Sequence, residues 1–187
     1  STFARREWKV LDDGIRGDLA YLKTVADGEL ELLNRTLDDS KWIVGYEQAD
    51  KPYGYYLYDR TKKQAKLLFT SRPALQDETL APMRDVVIRS RDGLDLVSYL
   101  TLPVERDPDG NGRPDAPLPL VLFVHGGPWG RDTWGYQATH QWLANRGYAV
   151  LSVNYRRSTG YGKKFLNAGN REWAGKMHDD LLDAVDW

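Results

Sequence analysis

The 187 residues carry a net charge of −1, are 41% hydrophobic and 28% charged, and so belong with globular chains of one ordinary domain or a small domain and part of another. That balance provides no electrostatic case for nucleic acid or an anionic membrane, and no run reaches the roughly eighteen apolar residues of a membrane span. The absence of cysteine excludes disulfides, thiolate zinc sites and a cysteine nucleophile, while the compartment stays open and no N-terminal signal core is visible in "STFARREWKV".

Residues 1–82 read as β-rich after one short helix, Gly17–Ala26. Four short strands are expected at Glu29–Leu37, Lys41–Gln48, Tyr53–Asp59 and Ala65–Ser71, joined by the turn-rich pieces "DDS", "ADKP" and "RTKKQ". Four consecutive antiparallel strands of this length match one propeller blade or a simple meander, and no second copy follows.

Residues 83–187 follow different rules. Arg84–Ser90 and Leu94–Leu102 flank Arg91-Asp92-Gly93, a hairpin signal. A Pro-, Gly- and Asp-rich loop runs from Pro103 to Pro119 and contains "DPDGNG" (Asp107–Gly112), which fits the start of a calcium loop. Leu118 stands where the bidentate Glu belongs and Pro114 interrupts the loop, so a solvated connection is expected and no metal is assigned. Leu120–Val124 is apolar throughout, as in a strand covered on both faces of a parallel sheet. Trp134, Ala138 and Trp142 share helical spacing ended by Gly147, and Tyr148–Val153 is a further buried strand. A last helix places Met177, Leu181, Ala184 and Val185 inward, with Asp179, Asp180, Asp183 and Asp186 mostly outward. Hairpin, strand, helix, strand, helix is the opening of an α/β domain.

The segment "VLFVHGGPWGRDTW" (Val121–Trp134) holds the chemistry. A dinucleotide turn needs different glycine spacing and an acid at the tip of the next strand, and Pro128 lacks an N–H. A P-loop is excluded because Arg157 stands at the first glycine position of "STGYGKKF" and Lys164 replaces Ser/Thr. His125, His140 and His178 lack ligand spacing, and His125 reads as a hydrogen-bonded structural residue. The remaining reading is an oxyanion hole. Counted as the third strand, Leu120–Val124 precedes the loop that supplies one backbone donor in α/β-hydrolases.

"HGGP" followed by "WLANRGYAVLSVNYRRSTGYGKKF" resembles the prolyl oligopeptidase family of serine peptidases, of the acylaminoacyl-peptidase and dipeptidyl-peptidase type. "SRDGLDLVSYLTLP" and "HDDLLDAVDW" resemble it too, and the preceding sheet is similar to the end of that family's propeller. The resemblance implies an α/β-hydrolase domain beginning near Met83, Gly127 as an oxyanion-hole N–H, and no cofactor. It implies Trp129, Tyr155 and Arg156 as substrate-pocket residues; packing for Trp129 and structural pairing for Tyr155 and Arg156 are the alternatives. Arg157 departs from the family's glycine at that turn. No serine lies in a G-x-S-x-G frame, so the triad is expected beyond Trp187 and this chain alone is expected to be inactive. The expected partners are a peptide substrate and the remainder of the propeller and catalytic domain, as another chain or a swapped copy. An esterase of the same fold and a non-catalytic interaction module are the competing readings.

Overall fold

The computed structural model describes residues 3–187 and contains two compact units, Arg6–Leu80 and Ala81–Trp187, the latter joined by Phe3–Arg5. In the first unit, helix α1 (Arg16–Leu22) precedes strands β1 (Glu29–Arg35), β2 (Lys41–Glu47), β3 (Gly54–Asp59) and β4 (Gln64–Thr70). These form an antiparallel meander in the order β1-β2-β3-β4, the arrangement of one propeller blade. Alternation along β2 sends Trp42, Val44 and Tyr46 to one face, where they pack with Leu19, Leu22, Leu30 and Tyr58. Tyr46 donates its hydroxyl to the Leu22 carbonyl at 2.6 Å, tying helix to sheet. The helix is shorter than its apolar pattern suggests, because Lys23–Val25 close it in a turn.

The second unit begins with the hairpin β5 (Met83–Arg89) and β6 (Asp95–Thr101). β7 (Leu120–Phe123), α2 (Ala138–Ala144), β8 (Ala149–Val153), α3 (Gly162–Asn167) and α4 (Lys176–Asp186) follow. The sheet order is β5-β6-β8-β7; β8 pairs antiparallel with β6 and parallel with β7. Together with the crossover through α2, this is the start of an α/β-hydrolase sheet. Its core gathers Ile88, Leu96, Leu100, Leu151, Val153, Phe165 and Ala184.

Three expectations are corrected. β7 is half-buried rather than covered on both faces, with Leu120 exposed, and it is the exposed apolar edge of the described sheet, pairing only with β8. Helix α2 starts at Ala138, so Trp134 lies before it and donates Nε1–H to the Met83 carbonyl at 2.7 Å. The buried face of α2 carries His140 and Ala144, whereas Trp142 is exposed under the Arg146 guanidinium. On α4, Asp180 points inward and is fully buried, for a reason set by Arg156 below.

Candidate active site

β7 delivers the chain into the turn His125–Arg131. Gly127 has φ +136, a backbone conformation that excludes ordinary side chains. A Cβ there would lie 2.5 Å from the Trp129 nitrogen and 2.9 Å from the Gly130 nitrogen. The turn therefore curls backbone nitrogens around the Gly127 α-carbon, and the following Gly127–Pro128 peptide is cis. Among the described residues, no protein acceptor pairs with the N–H of Gly127, Trp129 or Gly130. Clustered, unpaired backbone donors are the elements of an anion cradle.

The tip of β8 and the segment after it hold this turn in place. Buried Asn154 accepts from the Asp132 N–H at 2.8 Å and donates to the Asp132 carbonyl at 3.2 Å. Thr159 N–H donates to the Gly130 carbonyl at 2.9 Å. His125 places Nδ1 3.0 Å from the Gly126 carbonyl and Nε2 2.8 Å from the Ser158 hydroxyl. The Ser158 hydroxyl also donates to the Tyr155 carbonyl at 2.7 Å, so it links the His125 ring to the segment after β8. The structure thus shows His125 as a hydrogen-bonded support of the turn. Asp132 keeps one carboxylate oxygen, Oδ2, buried without a partner. Burial pushes its carboxyl above the usual range, and nearby His125 opposes that shift.

The residues implied as pocket walls fall into different places. Trp129 belongs to the turn and is 64% exposed. Tyr155 is buried, stacks on His125 with ring centroids 4.7 Å apart, and donates its hydroxyl to the His125 carbonyl at 3.1 Å. Arg156 is not brought to the turn's donors. Its guanidinium and backbone N–H grip Asp180 on α4 at 2.7–2.9 Å, and the same guanidinium holds Asp92 of the β5–β6 hairpin at 2.8 and 2.9 Å. Arg156, 2% exposed, thereby ties α4 to the hairpin and draws Asp180 inside. Arg156 beside Asp92 holds that carboxyl well below the usual range.

In the sequence Arg157 stands out only as a departure from a glycine pattern. The structure explains the glycine: residue 157 has φ +82, which in a non-glycine residue costs about 1–2 kcal/mol. The Arg157 guanidinium lies 4.8 Å from the centroid of the Trp129 ring and donates Nη1–H to the Gly169 carbonyl at 3.1 Å. Asn154 opens the "NYRRSTGYG" segment, which the resemblance sets beside the active site without giving Asn154 a role of its own.

The "DPDGNG" loop is organised around an internal cation. Arg84 donates to the Gly110 carbonyl and sits 3.6 Å from the Asp107 carboxylate, which also accepts from Gly112 N–H at 3.1 Å. The loop's acceptors are thus engaged by protein donors. A groove of about 870 Å³, lined by Leu100, Leu102, Leu118, Leu151, Ala184 and Trp187, contains no residue of the turn, so size alone does not locate the site. No described helix is long and apolar enough to cross a membrane.

Comparison with known proteins places this geometry in context. The model of the prolyl oligopeptidase family matches residues 134–187. Dipeptidyl aminopeptidase BIII of Pseudoxanthomonas mexicana is 57% identical over 99% of the chain, which covers 27% of that relative. Dipeptidyl peptidase family member 6 of Caenorhabditis elegans is 38% identical with the same coverage. The solved acylaminoacyl peptidase of Pyrococcus horikoshii superposes with a TM-score of 0.65 at 23% identity, over 86% of this chain and 24% of that one. The chain thus spans about a quarter of the length of these proteins.

Proposed function

We propose, from a chain that belongs to the prolyl oligopeptidase family, that it forms part of a serine peptidase and supplies one half of its oxyanion hole. The observation that carries this reading is the turn after β7, where Gly127 presents an N–H with no protein acceptor beside a strand paired in parallel to β8. Peptide hydrolysis through an acyl-enzyme needs such donors where charge develops on the carbonyl oxygen. The N–H of Gly127 stabilises the tetrahedral oxyanion, while a serine nucleophile with its histidine and acid come from chain outside these 187 residues. Trp129 walls the substrate side of the turn, and Tyr155 acts through its stack on His125. Residues 1–82 end the propeller and residues 83–187 begin the catalytic domain, whose remaining strands continue the sheet at the free edge of β7. Substrates are oligopeptides; the 57%-identical relative, a dipeptidyl aminopeptidase, supports release of dipeptides.

The test uses the full-length protein, assayed with dipeptidyl anilides and with a serine-directed fluorophosphonate. Hydrolysis and covalent labelling are expected, with neither from residues 1–187 alone. A full-length protein that does neither contradicts the proposal.

A further inference from the structure

Three consecutive residues after β8 each contact the candidate oxyanion turn. Thr159 holds the Gly130 carbonyl, Ser158 holds His125, and Arg157 lies over Trp129. The first two are ordinary hydrogen bonds. Arg157 is different, because its backbone adopts a conformation that glycine would adopt without strain. An outlier of this kind persists only where the surroundings over-determine it, and such outliers cluster where geometry must be held.

The strained backbone has a visible result. It sends the Arg157 side chain between two anchors, the Gly169 carbonyl at 3.1 Å and the Trp129 ring at 4.8 Å. Gly169 makes room for this path, since a Cβ there would meet the Arg157 β-carbon at 2.5 Å. The guanidinium Nε is buried with no partner, a loss that a side chain free to move would avoid. Trp129 is otherwise largely solvent-exposed, and its backbone nitrogen is one of those gathered around Gly127. A large exposed indole in a glycine turn has many orientations; a cation stacked on its face selects one.

We infer that Arg157 is a positioning residue for the oxyanion turn: by clamping Trp129 it fixes the direction in which the turn's N–H groups point. The inference rests on the peptidase reading above and adds to it a residue that touches neither substrate nor the reacting atoms. It also attaches a role to the position at which this chain departs from the family's glycine.

The full-length protein and its Arg157→Gly and Arg157→Lys variants provide the test. Glycine suits the backbone at 157, so Arg157→Gly keeps the fold. Hydrogen exchange at the amides of residues 125–131 reads the clamp whether or not the protein is a peptidase; Arg157→Gly is expected to speed it about fivefold, with Arg157→Lys in between. With a dipeptidyl anilide, Arg157→Gly is expected to lower kcat about five- to tenfold with KM within about twofold. In a Trp129→Ala background the same change should have no further effect on kcat. Unaltered exchange in Arg157→Gly overturns the inference, as does a rise in KM at constant kcat. A wild-type protein without hydrolysis sinks the peptidase reading instead, and the exchange result still decides the role of Arg157.

Discussion

Each unit buries a carboxylate, and the two treat it differently. In the blade-like unit Asp18 accepts from Tyr58 at 2.7 Å, from Arg60 at 2.8 Å and from Lys63, but the side chains of both cations remain partly in water, at 22% and 51% exposed. In the α/β unit Asp180 and Arg156 are sealed together, at 0% and 3% side-chain exposure. The first cluster re-solvates when a partner is lost; the second cannot. In the same unit as the second, the turn after β7 leaves the N–H groups of Gly127, Trp129 and Gly130 without a protein acceptor. A fold uses closed polar networks to hold elements together and leaves donors open where a ligand is to complete them.

The sharpest way to break this contrast is to remove one side of the sealed pair. Arg156→Ala leaves Asp180 buried and uncompensated and is expected to destabilise the protein by about 3–5 kcal/mol, read as a lowered midpoint in urea. A loss below about 1 kcal/mol would place the pair with surface bridges.

The next effect depends on pH. His140 is fully buried, with its ring nitrogens 2.9 Å from the Thr101 hydroxyl and 2.8 Å from that of Ser152, and burial pushes its pKa down to about 4 from an ordinary 6.5. A depressed value means that the unfolded chain takes up the proton first. Stability is therefore full above about pH 6.5 and falls as pH drops toward about 4, by about 3 kcal/mol in all. Urea midpoints across that range should show a slope that His140→Gln flattens; equal slopes would contradict the assignment.

The smallest effect belongs to the first unit. Burial raises the pKa of Asp18, but hydrogen bonds from Arg60, Lys63 and Tyr58 outweigh it and hold the group at about 2. Its contribution is present above its ordinary value of 3.8 and is lost as pH falls through about 2. Asp18→Asn is expected to cost about 2 kcal/mol, less than Arg156→Ala because Arg60 and Lys63 regain water. The reverse order in thermal melts would undo the comparison.

Much of this was legible in the residues. Short runs between turn-rich joints locate β2 and β3, and the Asp92-Gly93 turn locates the β5–β6 hairpin, because local chemistry decides those elements. In helix α2 tertiary contacts override the stripe of Trp134, Ala138 and Trp142; the buried position goes to His140, whose two ring nitrogens find hydroxyls from β6 and β8. Asp180 turns inward against the helical pattern, since its partner lies 24 residues earlier and pairing across that distance leaves no periodic trace. At the turn, glycine spacing marks a close backbone approach, and Gly127 has the positive φ that such an approach requires. The resemblance sets the segment of Asn154, Ser158 and Thr159 beside the active site, but its individual bonds to the turn depend on how the tip of β8 meets it in three dimensions.

The central claim is that the open N–H of Gly127 receives a developing oxyanion. The direct test is site-resolved hydrogen exchange on the full-length protein before and after reaction with a fluorophosphonate, whose phosphoryl oxygen takes the oxyanion's place. The account predicts that exchange at Gly127 slows in the adduct while exchange in β2 and β3 does not change. An adduct that forms with Gly127 exchange unaltered would contradict it.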